Sequence, residues 1–236
     1  MAEPKFEQVT PHIFKLNLPF LGGRITVGVW LMQHNGDWTV VDAGAPGSEE
    51  LVLRQTLACT GGQPPGRLVF THGHIDHAAA AEQMVDRWGL PVAAGRAEIP
   101  YILGPTPYRR VEPGWWGYRL LQRSGPSLIG RNVQLPLDEG MKVDGMQVIH
   151  VPGHSPGMVA LLHQADRALL SADVLSHRGG RLGDPISVFT YDMALNRQSM
   201  RKLAVLDFDH LLPSHGKPIL GDGKSRLEAF VQTLKS

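Results

Sequence analysis

The sequence predicts an α+β protein in which sheets pack between layers of helix. Strand-like and helix-like patterns interleave in both halves of the chain. The candidate strands are short apolar runs, and several end directly in a His or Asp. The 236 residues are 42% hydrophobic, enough for one domain spanning 1–236 with a sizeable buried core.

In chain order, Ile25 to Met32 and Trp38 to Val41 are β-branched and aromatic runs flanking Asn35-Gly36, a strong hairpin signal. A helix follows, with Pro46 near its start, Leu51, Leu53 and Leu57 on its apolar face, and Gly61-Gly62 as its stop. Arg67 to Thr71 reads as a buried strand, and Ala78 to Trp88 as one helix. Later, Met146 to Val151, Met158 to Leu162, Ala168 to Leu170 and His210 to Leu212 read as strands. Leu195 to Leu206 and Arg226 to Leu234 read as helices. Residues 101–131 break this rhythm. They carry Tyr101, Trp115, Trp116 and five arginines against one acid, Glu112, and are expected to form a lid or insertion.

Lys plus Arg is 23 and Asp plus Glu is 22, a net charge of +1. That balance argues against a nucleic-acid or membrane-surface binder and for a small-molecule substrate. No run reaches the roughly 18 apolar residues of a membrane span, and no secretory leader is recognisable. A cytoplasmic protein, monomeric or homodimeric, is the expectation. The lone Cys59 cannot build a disulfide or a cysteine metal site. With eleven His, any metal must be held by imidazole and carboxylate.

The strongest motif is His72-Gly73-His74-Ile75-Asp76-His77, where a buried strand gives way to a helix. His72 and His74, two apart, fall on one side of an extended strand end. Asp76 and His77 can reach a neighbouring position. Neutral imidazole and carboxylate suit zinc, and also iron or manganese. His154, Asp173 and His215 each follow a candidate strand and are candidates to join them.

In this order, HxHxDH followed by His, Asp and His, the chain resembles the metallo-β-lactamase-fold hydrolases with a full dinuclear site. It is most similar to their YflN-like and lactonase-like branch. The resemblance runs from Val41-Asp42-Ala43-Gly44 to the segment Pro213 to Pro218. It implies a four-layer αββα sandwich with two divalent metal ions, zinc first. It implies His72, His74 and His154 on one ion, Asp76, His77 and His215 on the other, and Asp173 between them. Asp42 would support the ligands from behind. A metal-bridging hydroxide would attack an ester-type bond, most simply a lactone or another carboxylic ester or thioester. Asp76 would orient it and carry a proton. Tyr191 would bind substrate beside the site, as Trp115 and Trp116 could from the 101–131 wall.

Several branches fit less well. Asp173 stands where class B1 β-lactamases use Cys, and His74 excludes the Glu of the flavin-partnered diiron oxidases. The 21 residues after His215 in this sequence read as one helix, so a glyoxalase II identity is not expected, although thioester chemistry stays open. Three alternatives remain: a mononuclear iron persulfide dioxygenase using His72, His154 and Asp173, a phosphodiesterase, and a non-catalytic metal-binding protein.

Overall fold

The computed structural model describes residues 3–104, 128 and 131–234. Seven strands form the first sheet in sequence order: β1 (Phe6–Thr10), β2 (Ile13–Phe20), β3 (Ile25–His34), β4 (Asp37–Val41), β5 (Arg67–Phe70), β6 (Val92–Gly95) and β7 (Leu135–Leu137). β1 to β4 run as an antiparallel meander, and β4 to β7 pair in parallel. The helices α1 (Glu49–Cys59), α2 (Ile75–Ala78), α3 (Ala81–Trp88) and α4 (Ile99–Ile102) lie between these strands in sequence.

The second sheet is built from β8 (Lys142–Val143), β9 (Met146–His150), β10 (Val159–His163), β11 (Ala168–Ala172) and β14 (His210–Pro213), ordered β14-β11-β10-β9-β8. A small hairpin of β12 (Ser176–Arg178) and β13 (Arg181–Gly183) precedes α5 (Met193–Ala204), and α6 (Gly223–Thr233) follows β14. No helix among the described residues is long and apolar enough to cross a membrane.

Both faces of the central strands are buried, which is why those strands read as continuous apolar runs. Side chains alternate between two cores, as the two-residue repeat of a strand requires. Trp30, Val41, Val69, Leu161, Leu170 and Leu212 meet between the sheets. Their neighbours Leu31, Val40, Leu68 and Phe70 pack outward with Val52, Leu53 and Met84 of the first helix layer. Ala160, Leu169 and Leu211 pack outward with Met200, Leu203 and Leu227 of the second. Three parallel cores make the expected four layers, helix–sheet–sheet–helix.

The Asn35-Gly36 turn is formed, with φ of 51° and 87°, the pair of positive values a two-residue hairpin turn uses. One expectation needs correction, and two strands were not anticipated. The single helix over Ala78 to Trp88 is broken into α2 and α3, because Ala79 and Ala80 donate their N–H groups to Gly44 and Ala43 rather than to the helix. β1 and β2 gave no usable strand signal. β1 is polar, and β2 places Lys15 on the inter-sheet face between apolar neighbours.

Lys15 is buried with its Nζ donating to Pro213 O at 3.1 Å and Gly216 O at 2.6 Å, above the Trp30 ring at 4.6 Å. Burial lowers its pKa to about 7, against the pull of Asp173. Lys15 thereby fastens the first sheet to the end of β14. Trp30→Ala is predicted to hollow the inter-sheet core and cost about 3–5 kcal/mol in urea unfolding. A loss below about 1 kcal/mol would contradict the packing described.

Candidate metal centre

Five strand ends open at one edge of the two sheets. β4 runs into Asp42, β5 into Thr71 and His72, β9 into the loop of His154, β11 into Asp173, and β14 into His215. The sheets are stitched together there. Val159 N donates to Thr71 O at 3.0 Å and Gly28 N to Ser214 O at 2.9 Å. His74 is extended (φ −67°, ψ 152°), and the chain then turns into α2, which carries Asp76 and His77.

The seven residues converge as two donor groups and a bridge. His72, His74 and His154 form one group, and Asp76, His77 and His215 the other. In each, the ligand atoms lie within 4.8 Å of one another. His154 Nε2 and His74 Nδ1 are 2.9 Å apart. Asp173 reaches both groups: Oδ2 is 2.9 Å from His215 Nε2 and 3.4 Å from His154 Nε2, and Oδ1 is 3.4 Å from His77 Nε2. Asp76 Oδ2 is 3.4 Å from His215 Nε2.

Four of the five imidazoles are held in one orientation by what their Nδ1 touches. His77 Nδ1 donates to Asp42 Oδ2 at 2.8 Å, and His215 Nδ1 donates to the Thr26 carbonyl at 2.8 Å. Thr71 Oγ1 gives its proton to Asp42, so at 3.0 Å it accepts from His72 Nδ1. Thr190 Oγ1 gives its proton to Ile186 O, so at 3.2 Å it accepts from His154 Nδ1. Each Nδ1 therefore carries a proton, which makes Nε2 the nitrogen that faces the centre.

The inward atoms fit divalent cations. His72 Nε2, His77 Nε2 and Asp173 Oδ1 are buried with no hydrogen-bond partner, and their residues form one further donor group. An orphaned buried polar atom costs about 1–3 kcal/mol, and cations held at the two groups, with Asp173 reaching both, would satisfy all three. Nitrogen and carboxylate donors of this kind suit zinc and also iron.

The two groups differ in charge. Burial lowers the His74 and His154 pKa values to about 3 and also holds His72 well below the ordinary imidazole range. For His77, burial is outweighed by Asp173, Asp76 and Asp42, which raise it well above that range. His215 is raised in the same way by Asp173 and Asp76 against burial. Burial opposes the Asp173 charge, but His215 and His77 hold its pKa well below the usual carboxylate value.

Asp42, at φ 60°, lies behind the ligands, accepting from Thr71 N, Thr71 Oγ1 and His77 Nδ1 at 2.8 Å each. Tyr191 N donates to His154 O at 3.0 Å, placing that residue beside the first group. Trp115 and Trp116 lie outside the described residues, as does most of the 101–131 segment. Sequence reasoning missed Glu98, Lys15 and Thr190. All three sit alone in unremarkable stretches, and only the fold brings them to this edge.

One more group, His12, His163 and Asp166, lies at the far end of β10 and β11. Its carboxylate is already engaged by Thr10 Oγ1, His12 N and His12 Nδ1. It is a hydrogen-bonded tie between turns.

The Metallo-beta-lactamase superfamily model matches residues 22–215. This chain belongs to that superfamily. Probable metallo-hydrolases YybB and YflN of Bacillus subtilis are each 29% identical to it. The YybB match covers 90% of this chain and 91% of YybB, and the YflN match 88% and 86%. Hydroxyacylglutathione hydrolase GloC of Haemophilus influenzae is 26% identical over 63% of this chain and 68% of its own. The crystal structure of TTHA1623 in a di-iron-bound form superposes with a TM-score of 0.66 at 26% identity, covering 90% of this chain and 99% of that one.

The charge difference has a measurable consequence. The His72–His74–His154 group is neutral at pH 7 and takes a cation without shedding a proton. The other group must first release imidazolium protons, so its affinity falls as pH falls. Dialysis of zinc-loaded protein from about pH 8 to about pH 6 is predicted to reduce bound metal from about two ions per chain to about one. Parallel loss of both ions would contradict the assignment.

Proposed function

We propose that this chain is a two-metal hydrolase of ester-type bonds, acting on a lactone or another carboxylic ester or thioester. The observation that carries the reading is Asp173, whose two oxygens face donor atoms of both groups at 2.9–3.4 Å. A mononuclear site of His72, His154 and Asp173 would leave Asp76, His77 and His215 gathered with no task. Two divalent ions held here would supply Lewis acidity toward a carbonyl and would acidify water at neutral pH. The names of YybB and YflN support a metallo-hydrolase, and that of GloC keeps a thioester in view. Zinc is the proposed metal, with iron the alternative raised by the di-iron form of TTHA1623.

The chain's own residues provide the remaining chemistry. Asp76 is 12% exposed at its side chain, slightly more open than Asp173 at 5%. It is placed to take a proton from the attacking water and to return it to the leaving oxygen or sulfur. Tyr191, half-buried beside His154, donates its phenol hydrogen to the substrate carbonyl or leaving group. No protein nucleophile is required. Cys59 ends α1, where it packs against the outer core, and burial pushes its thiol pKa up.

Zinc-loaded protein should be assayed on an acyl-homoserine lactone, a simple lactone, a thioester and a bis-nitrophenyl phosphodiester. Hydrolysis of a carboxylic ester or thioester is expected. Asp76→Asn should lower kcat by about 100-fold or more and weaken the metal held with His77 and His215. Tyr191→Phe should lower kcat/KM by about 10-fold. Cleavage of the phosphodiester alone, or oxygen uptake with a persulfide by iron-loaded protein, would overturn the ester assignment.

A further inference from the structure

Glu98 is a fully buried carboxylate that belongs to neither donor group. It follows β6 and caps the start of α4. Its Oε1 accepts from Gly73 N at 3.0 Å, and its Oε2 accepts from Ser155 Oγ at 2.9 Å and Gly157 N at 2.8 Å. Gly73 lies between His72 and His74, while Ser155 and Gly157 follow His154. One carboxylate therefore joins the two loops that carry the whole first donor group. Those loops leave different sheets, β5 from the seven-stranded and β9 from the five-stranded.

The backbone around this clamp leaves no slack. A Cβ at Gly157 would lie 2.0 Å from Glu98 N, and one at Gly95 would lie 2.2 Å from Gly157 O. The end of β6 and the His154 loop are thus in direct main-chain contact. Three hydrogen bonds from two loops to one buried side chain hold the loops in register. The second donor group receives nothing from Glu98 in these contacts. Its histidines are held by Asp42 and by Thr26 O.

We propose that Glu98 is a positioning residue that sets the geometry, and hence the metal affinity, of the His72–His74–His154 group selectively. The proposal rests on the two-group reading of the centre but not on the identity of the substrate. Glu98→Gln keeps the side-chain volume but turns an NH2 toward one of three donors, so at least one bond is replaced by a donor–donor clash.

The test is zinc affinity of metal-stripped full-length protein, measured by competition with a chromophoric chelator in two single-group backgrounds. His215→Ala disables the second group and His74→Ala the first. Glu98→Gln is expected to weaken zinc binding about 10–100-fold in the His215→Ala background and less than about threefold in the His74→Ala background. Ser155→Ala removes one of the three donors and should reproduce a smaller loss with the same selectivity. It carries the test alone if Glu98→Gln fails to fold by circular dichroism. Equal losses in both backgrounds, or none in the first, would overturn the positioning role. Absence of zinc binding in both backgrounds before Glu98 is changed would overturn the two-group centre and this proposal with it. Failure on the ester panel with the selective zinc pattern intact would leave Glu98's role standing and remove only the substrate assignment.

Discussion

The centre depends on the orientation of four imidazole rings, each fixed by an acceptor at Nδ1. Asp42, the Thr26 carbonyl and the hydroxyls of Thr71 and Thr190 are those acceptors. The two hydroxyls act as acceptors because each spends its own proton elsewhere, on Asp42 and on Ile186 O. The chain therefore commits each ring before any cation arrives. The folded state tolerates orphaned atoms such as His72 Nε2 and His77 Nε2 because the neighbouring bonds and packing hold them in place.

The sandwich makes this arrangement possible by bringing the ends of two sheets to one edge. Asp42, His72 and His77 arrive with the first sheet, and His154, Asp173 and His215 with the second. The contacts that cross between the sheets at that edge are consequently part of the site. Lys15 bonds to the two carbonyls flanking the His215 turn, and Glu98 joins the His74 and His154 loops. Both buried side chains thus bond across the boundary between the sheets.

This division explains what was legible in the sequence. The HxHxDH run was readable because six consecutive residues carry four ligand candidates between a strand and a helix. His154, Asp173 and His215 were readable only as strand-end residues in a family order, and the structure brings them to the same centre. The rest was hidden for physical reasons. The carbonyl of Thr26 is a backbone acceptor that no side chain announces. Glu98 is one acid in a plain stretch, meaningful only because Gly73 and Gly157 fold against it. β2 escaped notice because Lys15, a charged residue, occupies an inward position, where pattern reading expects an apolar one. The break between α2 and α3 arises from Ala43 and Gly44, some 35 residues earlier, competing for the helix's N–H groups.

The central claim is that two cations sit against two donor groups with Asp173 common to both. Anomalous diffraction from crystals of the zinc-loaded protein, collected on either side of the metal absorption edge, tests it most directly. The account predicts two anomalous peaks, one bounded by His72, His74 and His154 and the other by Asp76, His77 and His215, with an Asp173 oxygen contacting both. A single peak ligated by His72, His154 and Asp173, with His77 and His215 turned away, would contradict it.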